Sequence, residues 1–506
     1  MPSSNLTTLP LEILIQIASY LNTPDYQAIR LSCRGIEASL FRAFAQQYFR
    51  KIQFMRTEYS LQALVDISKS RFSSYLQHVV ITTQLLSPRV APNARWRPGN
   101  IESDAGEERF NRMCDDQAVL LNTGYDQHML VEAFSNLKLE AVGIHGQPSH
   151  HMYHGPASYG ISHIKRETLV NLRFDTAYAG ELGRRTTYAS CLQNVLLALG
   201  KSGSTPKRFE IDMYNSRVGD DAFNIPPFME KVVSPVLTNL EAVDLRFHPC
   251  SESTSRLIAP RGQAPHKIET YYLRTLFSQL TQIKSLRIDS LRQSETFFEW
   301  LAAPVSNEGY DGPPGLEPPR SLTLPKLHEL ELNQVELRFN DLLTVIEKFS
   351  ATLRKLTVSK TLLHLISSTP VVTPAPSVWP GLLARLARVG RCLTEISLDD
   401  VDVGSGYELS TIGFKDGGYS FSYAGPNMKK VLGDLVGSVR LVGEPSESEE
   451  SDVEEDWGDD SSQGDVLGGF DFDEFMEMEE YDDLLDEIDQ DLNEDLMIEA
   501  IFGLGQ

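Results

Sequence analysis

Histidine offers the clearest chemistry along this chain. The stretch GIHGQPSHHMYHG carries His145, His150, His151 and His154, and His163 follows shortly after. Clustered imidazoles can hold zinc or nickel. Zinc needs about four oriented ligands, yet no cysteine lies nearby and the surrounding Gly and Pro supply no rigid frame. A surface loop is therefore expected, with no metal site. Cys191, in YASCLQNVLLALG, is the candidate nucleophile, but its neighbours Leu192, Val195, Leu196 and Leu199 recur at helical spacing and place the thiol in a core. The chain contains no G-x-x-x-x-G-K-[ST], G-x-S-x-G or H-E-x-x-H. Its carboxylates concentrate near the C-terminus, where nothing would bury one and tune it for acid–base work. The expectation is a non-enzymatic binding protein with no catalytic residue, metal or cofactor.

Composition narrows what it binds. A length of 506 residues exceeds one compact domain unless the chain stacks repeats. Five scattered cysteines (Cys33, Cys114, Cys191, Cys250 and Cys392) form no C-x-x-C pair, which fits a reducing compartment, cytoplasmic and/or nuclear. There is no basic leader and no run of about eighteen apolar residues, so neither a signal peptide nor a membrane span is expected. The net charge is −24, but 26 of the 70 acidic residues lie from Glu444 onward, where there is no Lys or Arg. The body before them is nearly neutral. Neither part has the basic character of a nucleic-acid binder.

The chain divides into three segments. Residues 5–50 read as three short helices. Ile13, Leu14, Ile17 and Leu21 recur at helical spacing after Pro10, and Thr23-Pro24-Asp25 provides a hydroxyl cap, a proline and a first-turn acid. Ile36, Leu40, Phe44 and Phe49 continue the pattern after Gly35. So small a core needs help from elsewhere.

Residues 51–443 repeat loosely. LPKLHELEL, LTNLEAVDL and LTQIKSLRI share one leucine spacing, with shorter echoes in LRKLTV, LTEISL, LVNLRF, LEAVGI and LQHVVI, and helical patterns lie between several of them. Short strand then helix, repeated, describes an α/β solenoid of short parallel strands. The apolar markers Val142, Leu172, Phe209, Val243, Leu286, Leu330, Leu356 and Ile396 lie 26 to 44 residues apart. That interval exceeds the usual 20–29 residues of leucine-rich repeats, and the excess is spent in insertions such as 304–320 and 369–380. Side chains alternate along a strand. Asp244, Arg246, Arg287, Asp289, Glu331, Asn333, Lys355, Thr357, Ser397 and Asp399 should therefore face solvent as a concave, protein-binding surface, its mixed signs pointing to a protein target and not a polyanion.

Residues 444–506 begin as an acidic, Ser-rich stretch expected to be disordered. They end in a possible acidic amphipathic helix over 480–502 that would order on a partner.

The opening LPLEILIQIASYLNTPDYQAIRLSCRGIEASL resembles an F-box, through Leu9-Pro10, Glu12-Ile13-Leu14, Ile17, Tyr20-Leu21, Asp25, Ile29, Leu31 and Cys33-Arg34. The family motif continues with a tryptophan where this chain has Ile36 and Glu37. The layout as a whole resembles the F-box and leucine-rich-repeat proteins of filamentous fungi. The resemblance implies a substrate receptor of a Skp–cullin–F-box ubiquitin ligase. The Skp-type adaptor would sit on Leu9, Pro10, Ile13, Leu14, Ile17, Leu21 and Leu31, the cullin scaffold would join through the adaptor, and an unknown protein substrate would lie on the repeat surface. No nucleic acid or membrane partner is implied. The alternative is a scaffold whose acidic tail acts as an activation-like segment or binds a basic partner such as a histone.

Overall fold

A computed structural model describes residues 6, 9–87, 101–146, 158–170, 172, 181–250, 270–290, 295–304, 322–364, 378–405, 408–414 and 418–443. The tail from 444 (with the helix expected over 480–502), His150, His151 and His154, the insertion 305–320 and most of 369–380 lie outside the described residues.

Helices α1 (Leu11–Ala18), α2 (Thr23–Ser32) and α3 (Arg34–Tyr48) open the chain. The cap of α2 is Asn22, one residue before the expected Thr23; its side chain accepts from the Asp25 N–H at 2.9 Å. Leu14 and Ala18 of α1, Tyr26 of α2, and Ile36, Leu40 and Phe44 of α3 are buried together. Tyr26 meets Phe44 edge-on with centroids 5.5 Å apart, and the Arg30 guanidinium lies 3.8 Å above the Phe44 ring. The module does not close on itself. Phe49 stacks on Phe72 at 4.2 Å and Phe41 meets the same ring at 5.0 Å, which joins the three helices to the core of the strand–helix array.

Fifteen strands among the described residues, numbered in chain order, make two sheets. In the larger, β1 (Lys51–Phe54), β2 (His78–Thr82), β3 (Ala141–His145), β4 (Arg208–Gly219), β5 (Ala242–Cys250), β6 (Ser285–Asp289), β7 (Glu329–Asn333), β9 (Lys355–Ser359) and β11 (Glu395–Asp399) pair in parallel in that order. The strand β14 (Ser420–Ala424) adds antiparallel to β11. In the smaller, β8 (Glu336–Arg338), β10 (Leu362–His364) and β12 (Asp402–Ser405) run parallel, and β13 (Glu408–Gly413) and β15 (Arg440–Gly443) complete it antiparallel.

Parallel neighbours need crossovers, and helices supply them. They are α4 (Glu58–Lys69), α5 (Ile101–Thr123) with α6 (Tyr125–Asn136), α7 (Ile161–Thr168) with α8 (Glu181–Ser202), α9 (Pro227–Asn239), α10 (Tyr271–Ser278), α11 (Glu295–Ala302), α12 (Phe339–Phe349) and α13 (Val378–Val389). A last helix, α14 (Met428–Val436), follows β14. At the α8–α9 contact, a Cβ on Gly200 would lie 2.3 Å from the Val232 carbonyl oxygen, so only glycine lets the two helices approach.

Register fixes the two faces. One aligned row runs from Ile52 on β1 through Val142, Phe209, Val243, Leu286, Leu330 and Leu356 to Ile396 on β11, and a second runs from Phe54 to Leu398; both are buried against the helices. Seven of the eight apolar markers read from the sequence share the first row. Leu172 does not. β3 pairs directly with β4, and Leu172 lies in a separate small core with Met55, Phe110, Ile161 and Val170. An L-x-x-L-x-L spacing reports an apolar face, and a layer of helices can bury that face as well as a sheet can.

Candidate functional site

Two surfaces stand out. The first is the apolar flank of the N-terminal helices. Of the eleven large apolar side chains exposed among the described residues, six lie between Leu6 and Leu31: Leu6, Leu11, Ile13, Ile15, Tyr20 and Leu31. In α1 the inward stripe is Leu14 and Ala18, and apolar residues continue on both sides of it. An amphipathic helix serving only its own core would carry polar groups there. Among the residues expected to contact an adaptor, Ile13 is 42% exposed, Leu31 65% exposed and Pro10 exposed, whereas Leu9, Ile17 and Leu21 are half-buried. Leu14 is corrected: at 3% exposure it is an anchor of the module's own core. Helical spacing groups residues by stripe but does not say which stripe turns inward when nearly every turn is apolar. Leu11, Ile15 and Tyr20 are additional exposed positions that were not among the expected adaptor contacts.

The second surface is the outer face of the large sheet, where the residues between the buried rows form ion pairs from strand to strand. Arg208 pairs with Asp244 at 2.8 Å, Arg246 with Asp289 at 3.2 Å and Asp212 at 3.5 Å, Arg287 with Glu331 at 3.3 Å, and Lys355 with Glu395 at 3.1 Å. Such cross-strand pairs fix side-chain direction and contribute modestly to stability. Asn333 accepts from the Ser359 hydroxyl at 2.8 Å, and Ser397 aligns between Thr357 and Ser422. Asp289 is corrected. It is 2% exposed, beneath Arg246 and Arg287 (3.6 Å), and it accepts from the Ser290 hydroxyl, so it orders the guanidinium groups and cannot itself reach a partner.

The densest part lies on β1 to β4, whose outward residues the expected binding surface did not include. Glu210 on β4 is met by Lys51 at 3.3 Å, His78 at 3.2 Å, Arg208 at 3.4 Å and His145 at 3.9 Å. Gln53 holds His145 Nδ1 at 3.1 Å through its side-chain oxygen and donates through its amide nitrogen to Ser158 at 2.6 Å. Gly143 leaves the space between Val80 and Glu210 open. A cavity of about 270 Å³ sits over these groups, reaching Arg246 and Arg287. HVVIT, AVGIH and RFEID place these outward positions by simple alternation; LQHVVI, LEAVGI and the marker Phe209 flag the three strands as repeats, but the expected binding surface takes outward residues only from β5 onward. Of the histidine tract, His145 joins this cluster, whereas the His163 ring stacks on Tyr59 at 3.9 Å. Cys191 is buried, and that burial pushes its thiol up to about 11, so it stays protonated at neutral pH.

Burial alone would raise the Glu210 carboxyl. The His145 and His78 imidazoles, with the Lys51 ammonium, outweigh it and hold the group far below the usual carboxylate range. A depressed carboxylate stabilises the fold fully above its unfolded value of about 4.3, and that contribution is lost as pH falls toward the folded value. Urea unfolding between pH 5 and pH 3 should therefore show a steeper loss of stability for the native chain than for Glu210→Gln. Equal slopes would mean that the cluster does not favour ionised Glu210.

The chain matches no protein-family model, and no curated protein is detectably similar to it. No helix of the described residues is long and apolar enough to cross a membrane.

Proposed function

We propose that this chain is the non-catalytic, substrate-recognition subunit of a Skp–cullin–F-box ubiquitin ligase. In this reading residues 5–50 are the F-box, the parallel strands with their crossover helices are an irregular leucine-rich-repeat array, and the outer face of that array receives a target protein. The observation that carries it is the concentration of exposed apolar side chains on α1 and α2. A three-helix module that spends its inward residues on the strand core and still leaves Ile13, Tyr20 and Leu31 in solvent is suited to a helical partner. The ion-paired outer face supports the second half, because its forked cations are held in place before binding and lose little freedom on it.

Catalysis would then come from proximity. The receptor holds a target's lysines near a ubiquitin-charged enzyme carried by the same assembly, which raises their effective concentration. Affinity purification of the full chain from its native cells, read by mass spectrometry, tests this directly. A Skp-type adaptor and a cullin should co-purify in near-stoichiometric amounts. Their absence, with other partners recovered, would remove the ligase assignment.

A further inference from the structure

The large sheet ends at β14, with no strand beyond it among the described residues. Gly425 donates its N–H to the Thr394 carbonyl at 2.9 Å, and the Tyr419 carbonyl accepts from Asp400 at 3.0 Å. Alternate residues of an antiparallel pair share the ladder bonds, so Tyr419, Phe421, Tyr423 and Gly425 turn their backbone to β11. Ser420, Ser422 and Ala424 turn theirs to the open edge, and all three are exposed. Such an edge is a template for another strand. The inward side chains are also incompletely covered. Phe421 and Tyr423 align with Leu398 and Ile396 and extend the two buried rows by one strand, but both are only half-buried. At the opposite end of the sheet, Tyr159 engages the edge of β1, donating to the Gln53 carbonyl at 2.7 Å. A strand added to β14 needs apolar residues two apart to continue both rows, with polar residues between them for the outer face.

We propose that residues 469–473 of the same chain, GFDFD, add to β14 as the last strand of the sheet. Phe470 and Phe472 then cover Phe421 and Tyr423, while Asp471 and Asp473 face outward beside Ser420 and Ser422, which carry no charge to oppose them. A terminal strand that displays acids also resists further pairing. Lys429 and Lys430, in the first turn of α14, are exposed and make no ion pair among the described residues, so this end of the array supplies cations as well. The tether reaches. Gly443 at the end of β15 pairs with Ser410, Ser410 pairs with Val403, and Asp399, four residues before Val403, pairs with Ser420. Three strand spacings of about 4.8 Å and four residues of extended chain put Ser420 at most roughly 29 Å from Gly443. As a flexible coil, the 26 residues from Gly443 to Gly469 have a root-mean-square span of roughly 26–31 Å. Tethering then supplies a millimolar effective concentration. Phe470 and Phe472 are chosen over Met476 and Met478, which are also two apart, because aromatic residues suit a strand and Gly468-Gly469 lets the chain turn into it. This inference stands apart from the ligase reading: the edge can take the segment whether or not α1 and α2 bind an adaptor.

Hydrogen–deuterium exchange of the full chain, read by mass spectrometry, tests it. Corrected for intrinsic rates, amides over 470–473 should exchange about ten-fold more slowly than those over 450–460. Ser422→Pro removes an edge-facing N–H that β11 does not use, so β14 should keep its place while 470–473 loses its protection. Phe470→Ser with Phe472→Ser leaves the described body unaltered and should speed exchange across 420–424 by a similar factor. Met476→Ser with Met478→Ser should change neither. The proposal is overturned if 470–473 exchanges as fast as 450–460, if its protection survives Ser422→Pro, or if the phenylalanine variant leaves 420–424 unchanged. An equal effect of the methionine variant would put a different segment on the edge, and protection lost on dilution would put a second copy there; either result overturns it too.

Discussion

Asp126→Ala should lower the unfolding free energy by about 3–5 kcal/mol, the range found when one partner of a buried ion pair is removed. Arg56 is 1% exposed and Asp126 is fully buried. The guanidinium donates to one carboxylate oxygen from Nη2 at 2.6 Å and from Nε at 3.1 Å, and Asn194 donates to the same oxygen at 3.1 Å. Arg56 follows β1, Asp126 lies in the first turn of α6, and Ser190 and Asn194 belong to α8, so the pair ties three successive units together. Alanine would leave a guanidinium charge in the core with no counter-ion. The satisfaction is incomplete, since Arg56 Nη1 and Asp126 Oδ1 find no hydrogen-bond partner among the described residues. Arg56→Met with Asp126→Leu should therefore come within about 1 kcal/mol of the native chain, because well-packed apolar replacements of buried pairs are often neutral. Urea unfolding followed by circular dichroism separates these outcomes. A loss below about 1 kcal/mol for Asp126→Ala would mean that water reaches the site.

That pair was invisible in the sequence, and the reason is general. Arg56 and Asp126 are 70 residues apart, and each looks like an ordinary surface charge until the topology brings them together. The apolar rows were legible because strand alternation writes a face directly into spacing, and so seven of eight markers align. Leu172 misled because the same leucine spacing also suits a layer of helices. The outer face was read from β5 onward. It was missed at Lys51, His78, His145, Arg208 and Glu210, although the inward places of those strands (Ile52, Val79, Val142 and Phe209) continue the same row. These five residues lie up to 159 positions apart and meet only once the strands are in register. Asp289 shows a further limit. Alternation predicts the face of a residue, but not whether neighbouring arginines will close over it.

On the proposed function, Ile13→Asp with Leu31→Lys should reduce capture of a Skp-type adaptor by about 100-fold, or roughly 2.8 kcal/mol, while leaving the melting temperature unchanged. The few hot-spot residues near the centre of an interface cost about 2 kcal/mol or more when truncated, and a charge in the place of an apolar contact adds the cost of burying it. The fold should tolerate both changes. Ile13 is 42% exposed in the first turn of α1, where an acid favours the positive end of the helix dipole, and Leu31 is 65% exposed in the last turn of α2, where a cation favours the other end. Leu14→Ala supplies the contrast. At 3% exposure it should lower stability by about 2–5 kcal/mol, and any loss of capture should follow the loss of folded protein. Quantified co-purification beside a thermal melt reads both. If the charged double variant captures adaptor as the native chain does, the apolar flank serves some other contact. If Leu14→Ala loses capture while its melt is unchanged, α1 must turn over on binding, and the side that now faces the core would be the side an adaptor reads.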